Sequence, residues 1–448
     1  MSLLRFIPTA PLSRLRLVVT LLIAIVLAPA LFRIWCVKGL LRTIRVDGPS
    51  MAETLCGTHF RVTCKDCGLT FRCDGDNFPD DRRAVCPNCG FRDNELKDED
   101  LRRGDRVLVD TWPYLWSAPR RGDLVMFSEP NSSDEALGTS FAVKRVAGLP
   151  GERPAIREGN LIPKGQAIQK PWRELRQVSS LVHDNDFLPR SLPAKQRWLP
   201  SSKETSGWEA ITGGFRFTSP VDNDKDQWLD YEHWHGSASP ASRNQPATIL
   251  DNDPYNQAET RGLNPVRDLL FRCNVEGKTG DFMLVLLDPP HKLLLHLQLD
   301  SGRYLMLKNG STILAGSLPH AAGDFTVEAA LCDGFFSFAH NRHVLASFPY
   351  PDIPIPKDRG VPPGDSRRIQ IGAYGGPLEV THLQVRRDIY YLAPTGLGGD
   401  WQMESPLASG RFFLLGDNPP ISVDSRHWGG GVAREEIVGR VIPLGSMP

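Results

Sequence analysis

Beyond residue 40 the chain shows no long stretch of helical periodicity; short apolar runs recur instead, each cut off by a turn-forming pair or triplet. Between 206 and 393 these runs include 281–288 (DFMLVLLD), 292–300 (KLLLHLQLD), 304–308, 325–331, 335–339, 368–373 and 378–385. The turns between them carry Asp300-Ser301-Gly302, Asn309-Gly310 and Asp333-Gly334. Asn-Gly and Asp-Gly pairs accept the left-handed backbone that tight hairpins need. Short runs at even spacing predict an antiparallel β-sandwich over 206–393. Residues 101–163 repeat the pattern, with strand-like runs at 106–110, 124–128 and 141–147 set off by Arg-Gly-Asp turns. The fold class expected is mainly β.

The N-terminus is the exception. Residues 17–32 (LVVTLLIAIVLAPALF) carry no charge and follow Arg5, Arg14 and Arg16. Sixteen residues fall slightly short of the roughly 20 that cross a bilayer. Ile34 to Val37 extend the run past Arg33, whose long side chain can snorkel to the headgroups. The competing reading is a cleaved secretory signal with Ala28-Pro29-Ala30 as its small-residue site. A proline there makes a poor cleavage site and apolar residues continue beyond it, so 17–37 reads as a retained transmembrane helix in contact with membrane lipid. Charge does not orient it, because Arg33, Lys38, Arg42 and Arg45 match the basic residues on the other side. Lys+Arg and Asp+Glu balance at 52 each, so the bulk charge predicts no nucleic-acid partner.

Nine cysteines in 448 residues are too few for a disulfide scaffold. Four of them are paired in spacing: Cys64-x2-Cys67 and Cys86-x2-Cys89, 18 residues apart, each pair followed by a glycine (Gly68, Gly90). Glycine permits the tight turn under a metal-binding knuckle, and the spacing matches structural zinc sites of four cysteines. In an oxidising compartment the same four could pair as disulfides, so both readings stand, with a structural zinc ion favoured. Cys56, His59 and Cys73 lack paired spacing and read as structural. Residues 56–100 thus form a zinc-ribbon-like insert; excising them shortens the Ser50–Lys144 separation from 94 to 49 residues.

A serine is a weak nucleophile until a neighbouring base takes its proton. A lysine can be that base only when burial lowers its pKa from about 10.4. Lys144 lies in such an apolar segment, Phe141-Ala142-Val143-Lys144-Arg145-Val146-Ala147. By composition alone it reads as an outward-facing strand lysine. Three longer segments change that reading. Val46-Asp47-Gly48-Pro49-Ser50-Met51-Ala52-Glu53-Thr54-Leu55, Val143 to Glu152, and Gly416-Asp417-Asn418-Pro419-Pro420-Ile421-Ser422-Val423-Asp424-Ser425-Arg426-His427-Trp428-Gly429 resemble, in order, the nucleophile, general-base and C-terminal boxes of the type I signal peptidase family. Residues 121–127 are similar to the strand that the family places between the first two.

The resemblance implies Ser50 as nucleophile and Lys144 as general base of a Ser-Lys dyad acting through an acyl-enzyme, with no cofactor for catalysis. It implies that Ser422 orients the lysine amine, that Asp424 and Arg426 form an ion pair beside the site, and that Met51 helps bury the lysine and shape the groove. The oxyanion would be held by the Ser50 N–H and a second, unidentified donor. Glu53 stands where the family usually has proline, Pro419 where it often has arginine, and Gly48 where some members have a serine assisting the oxyanion. The implied fold is an all-β catalytic core from 38–163 and 394–448, with 164–205 a linker. The implied substrates are the signal peptides of secreted preproteins. Residues 1–16 would be cytoplasmic and the core would face outward from the cytoplasmic membrane.

The 206–393 segment resembles concanavalin-like or laminin-G-like jelly rolls, which leaves open a carbohydrate or protein ligand. Trp208, Trp228 and Trp234 are of the type that stacks on sugars, but read most simply as core residues, and His291, His296 and His382 as surface or core side chains. Cys273 and Cys332 read as small hydrophobes. From another functional class, the alternative is a membrane-tethered glycan- or protein-binding protein on a degenerate peptidase scaffold. A self-cleaving repressor shares the dyad chemistry, but the apolar helix and the lack of a DNA-binding helix pair speak against it.

Overall fold

The computed structural model describes residues 10–33, 39–129, 140–190, 196–202, 207–218, 227–235, 245–319, 323–350, 368–396 and 398–444. Helix α1 (Ala10–Phe32) starts seven residues before the expected anchor, and residues 34–37 lie outside the described residues. From Leu15 onward it is exposed and apolar, with a window Leu15–Phe32 long and apolar enough to cross a membrane. Among the described residues no protein surface covers the window.

The rest is mainly β. One seven-stranded antiparallel sheet runs Leu41–Arg45, Arg106–Asp110, Ile437–Pro443, Leu124–Ser128, Phe141–Gly148, Arg411–Leu415, Val432–Ala433. Its strands come from both ends of the chain, so the segments on either side of the large insertion share one sheet. Alternation buries Val107 and Val109 with Leu124, Met126 and Val441 on one face, and Val125, Phe127 and Val146 with Phe412 and Leu414 on the other.

The insertion is a sandwich of two antiparallel sheets. One holds Trp208–Ile211, Gly214–Phe217, Leu378–Arg387, Leu269–Gly277, Gly323–Cys332, Phe335–His340 and His343–Pro349. The other holds Trp198–Pro200, Gln227–Tyr231, Ile369–Tyr374, Asp281–Asp288, His291–Gln298, Arg303–Lys308 and Ser311–Ser317. Their facing sides share one large core including Phe271, Phe282, Leu295 and Phe338. The hairpin turns fall where the sequence places them: Asn309-Gly310 and Asp333-Gly334 are both left-handed, as is the Asn341-Arg342 tip. Trp208 and Trp234 are buried, and the edge of Trp228 packs where a Cβ on Gly372 would sit.

The stretch 164–205 departs from a linker. It contains helix α2 (Trp172–Val178) and two sandwich strands, Ser180–Asp184 and Trp198–Pro200. Ser180 pairs opposite Arg387, so the sandwich enters and leaves through adjacent points. Helix α2 is the joint: Trp172 and Leu175 pack on Leu270, Ala330 and Ala339 of the sandwich, and Val178 joins the core cluster around Ile156 and Phe413.

Candidate active site

The turn carrying Ser50 follows directly from its sequence. Pro49 opens a short 3-10 turn (Pro49–Met51), where its fixed φ and missing N–H cost nothing. Met51 inserts between Val46, Leu55 and Val107. With its neighbour so anchored, Ser50 is held half-buried at the rim. No acceptor among the described residues takes the Ser50 N–H, and a Cβ on Gly48 would meet nothing within 4 Å. The space beside Gly48 is therefore open.

Lys144 lies in the middle of the Phe141–Gly148 strand, opposite Val125, and is 3% exposed. Its Nζ donates to Ser422 Oγ at 2.9 Å, and Ser422 Oγ donates to Asp424 Oδ2 at 2.8 Å. Arg426 clamps both oxygens of Asp424 at 2.7 and 2.8 Å, and its remaining donors reach the carbonyls of Leu392, Ser422 and Pro419. Asp424 also caps helix α3 (Ser425–Trp428) and accepts from the Gly416 N–H. The pair is thus buried and fully satisfied, which a desolvated carboxylate requires. Burial lowers the Lys144 pKa to about 8, against the opposing pull of Asp424.

These four residues form one hydrogen-bonded chain, and the Ser50 turn packs against the lysine strand. Gly416 shows how tightly: a Cβ there would lie 2.2 Å from Ser422 Oγ and 2.5 Å from the Ser50 carbonyl oxygen. Among the described residues no hydrogen bond joins Ser50 Oγ to Lys144 Nζ; such contacts often close only when substrate is bound.

Two further sets of residues shape the site. Arg145, next to the lysine, makes a buried bidentate pair with Asp417 at 2.8 and 2.6 Å and so ties the lysine strand to the C-terminal box. Arg145 lies in the 143–152 segment and Asp417 in the 416–429 segment, with opposite charges as the only sequence signal of their pairing. Asn418 donates its N–H to the Ser50 carbonyl at 3.1 Å and its side-chain amide to the Pro49 carbonyl at 3.0 Å. That amide is itself held in a mutual pair with Asn256 of the sandwich, at 2.6 and 2.9 Å. Nothing in the sequence marks Asn256, which lies in a different unit of the chain.

The cysteine ribbon stands apart from this site. Gly68 and Gly90 adopt left-handed φ under the two knuckles, and each donates to the first cysteine of its pair. The four sulfurs lie within 4.8 Å of one another, with Cys64–Cys89 and Cys67–Cys86 at 3.6 Å. That is far beyond a disulfide bond of about 2.05 Å and close to the edge of about 3.8 Å that Zn–S bonds near 2.3 Å give a tetrahedron. The donor set fits zinc.

Comparison with known proteins matches the family model described as signal peptidase, peptidase S26, to residues 93–206 and 391–444. These segments include Lys144 and the Ser422–Arg426 box and leave out Ser50. Signal peptidase I of Leptolyngbya laminosa is 33% identical over 75 residues, 16% of this chain and 36% of the relative. The probable signal peptidase I-1 of Synechocystis sp. (strain ATCC 27184 / PCC 6803 / Kazusa) is 32% identical over 75 residues, 16% of this chain and 38% of the relative. The chain therefore spans little more than a third of the length of the curated relatives it matches. Among solved structures, the carbohydrate-binding module CBM66 from Bacillus subtilis has 11% identity and a TM-score of 0.24, covering 44% of this chain and 94% of that one. Galectin LEC-6 of Caenorhabditis elegans has 18% identity and a TM-score of 0.20, covering 26% and 81%. At such scores neither structure carries an argument about the sandwich. Over the matched segments, which hold Lys144 and the Ser422–Asp424–Arg426 chain, this protein is similar to the signal peptidase family, peptidase S26.

Proposed function

We propose that the chain is a membrane-bound serine endopeptidase that removes signal peptides from secreted preproteins, with Ser50 as nucleophile and Lys144 as general base. The observation that carries this reading is the buried Lys144 amine, fixed by Ser422 beside the Ser50 turn with its pKa lowered to about 8. Ser422 gives its own proton to Asp424 and so accepts one N–H of the amine. A neutral amine then keeps its lone pair free for the Ser50 hydroxyl. As Ser50 Oγ attacks the scissile carbonyl, its proton passes to Lys144 Nζ, and the oxyanion forms against the unused Ser50 N–H. The ammonium returns that proton to the leaving amine. Water, deprotonated by the same lysine, then cleaves the acyl-enzyme.

Asp424 and Arg426 hold the Ser422 segment in place and exchange no proton with substrate. Cys64, Cys67, Cys86 and Cys89 would hold a structural zinc ion that stiffens the ribbon. Helix α1 would anchor the enzyme, with the catalytic sheet on the outer face of the cytoplasmic membrane. The degenerate-scaffold alternative draws no support from the tryptophans, since Trp208 and Trp234 are buried in packing.

The test is cleavage of a preprotein by the purified full chain in detergent. Ser50→Ala and Lys144→Ala are each expected to lower the rate by about 10³-fold or more. A wild-type chain that binds the preprotein but leaves it intact would reject the reading.

A further inference from the structure

Seven arginines from four parts of the chain face one cavity of about 460 Å³. Arg72 comes from the ribbon, Arg106 from the catalytic sheet, Arg173 and Arg176 from α2, and Arg272, Arg342 and Arg386 from the sandwich. Three carboxylates share the wall: Glu53, Asp105 and Glu328. Two of these are already used. Asp105 accepts from Arg72 at 3.2 Å. Glu328 takes both Nε and Nη2 of Arg176.

Arg272 stands directly opposite Glu328 in the strand pairing, yet Arg176 occupies both oxygens. Arg272 consequently makes no side-chain hydrogen bond or ion pair among the described residues, and the same holds for Arg106, Arg173 and Arg342. Arg386 donates to neutral partners only, the Ser179 hydroxyl at 3.0 Å and carbonyl at 2.5 Å. The last acid, Glu53, has its pKa raised to about 7 by burial, with Asp253 adding to the rise, and so carries only part of a negative charge near neutrality.

None of these five guanidinium groups is hydrogen-bonded to a carboxylate among the described residues; Arg272 and Arg386 are half-buried and Arg106, Arg173 and Arg342 exposed, and an anion seated among them relieves their mutual repulsion. Guanidinium forks match the oxygens of phosphate bidentately. A phosphate group brings up to two charges and three acceptor oxygens in few atoms. The volume is that of a small-molecule pocket. We propose that this cavity binds a phosphate-bearing ligand, either a soluble phosphate ester or the headgroup of an anionic phospholipid.

The test uses the full chain in neutral detergent and two variants, Arg272→Ala and Arg342→Ala, whose side chains have no partner to lose. Calorimetric titration with inorganic pyrophosphate probes the soluble source. Flotation with phosphatidylcholine vesicles, with and without phosphatidylglycerol, probes the headgroup. Saturable pyrophosphate binding that weakens about 10-fold or more in Arg272→Ala supports the site and a soluble ligand. Absent pyrophosphate binding, with phosphatidylglycerol-dependent flotation that drops in both variants, supports it and the headgroup. Pyrophosphate binding that is equal in wild type and Arg272→Ala overturns the proposal. So does the absence of pyrophosphate binding with flotation unchanged by the variants.

Discussion

At the scale of single residues, Lys144 makes catalysis and stability pull in opposite directions. Its pKa of about 8 lies below the unfolded value of about 10.4, chiefly through burial. Between those two values the unfolded chain binds a proton that the folded chain does not, so stability rises with pH across that window. Below it the amine is charged in both states and the cost of burying it is fully present. Lys144→Met should therefore raise the free energy of unfolding by up to about 3 kcal/mol at neutral pH, with the gain shrinking toward pH 10. Urea melts at the two pH values measure it; a loss of stability at neutral pH would contradict a desolvated amine. For the wild type, the rate of preprotein cleavage should climb with pH, reach half its plateau near 8 and level off above it. A rate that is flat from pH 6 to 9 would be at odds with Lys144 as the base.

The elements around the proposed dyad meet at the backbone of the Ser50 turn. The loop closed by the Leu250–Pro265 bridge carries Asn256 to Asn418, and Asn418 holds the Ser50 and Pro49 carbonyls. Asn256→Ala would leave a buried Asn418 amide half satisfied and the turn less well fixed. Its expected effect is a fall in kcat of about 10-fold with KM little changed, since the turn positions the nucleophile and not the substrate. Steady-state kinetics on a preprotein decide this, and an unchanged kcat would reduce the amide pair to a packing contact. The ribbon is a second such element. Its small core of Phe60, Val62, Leu69 and Phe71 is joined by the four cysteines themselves. One zinc per chain is expected by metal analysis, and chelation should open residues 56–100 to protease; protection that survives chelation would rule out metal as the ribbon's support.

Across the whole molecule, the sandwich is a plug-in with closely spaced ends. Because Ser180 pairs with Arg387, deletion of 180–387 across a short linker should leave a folded core, whereas deletion of 206–393 should strand two sandwich strands without their sheets. Expression and thermal melts compare the two, and equal folding would refute the structural boundary. The sequence by itself determined the elements: alternation and Asn-Gly or Asp-Gly turns fixed strands and hairpins, an uncharged run fixed α1, and paired cysteines fixed a metal-competent donor set. The boxes marked Ser50, Lys144, Ser422, Asp424 and Arg426, because chemistry restricts residue type at those points. These signals are local. Tertiary structure alone decided that Ser180–Asp184 and Trp198–Pro200 belong to the sandwich, that Asn256 reaches Asn418, that Lys144 is dry, and that five arginines without a carboxylate hydrogen-bond partner share one space. Burial and charge balance depend on which distant surfaces meet, and no run of neighbouring residues encodes that meeting.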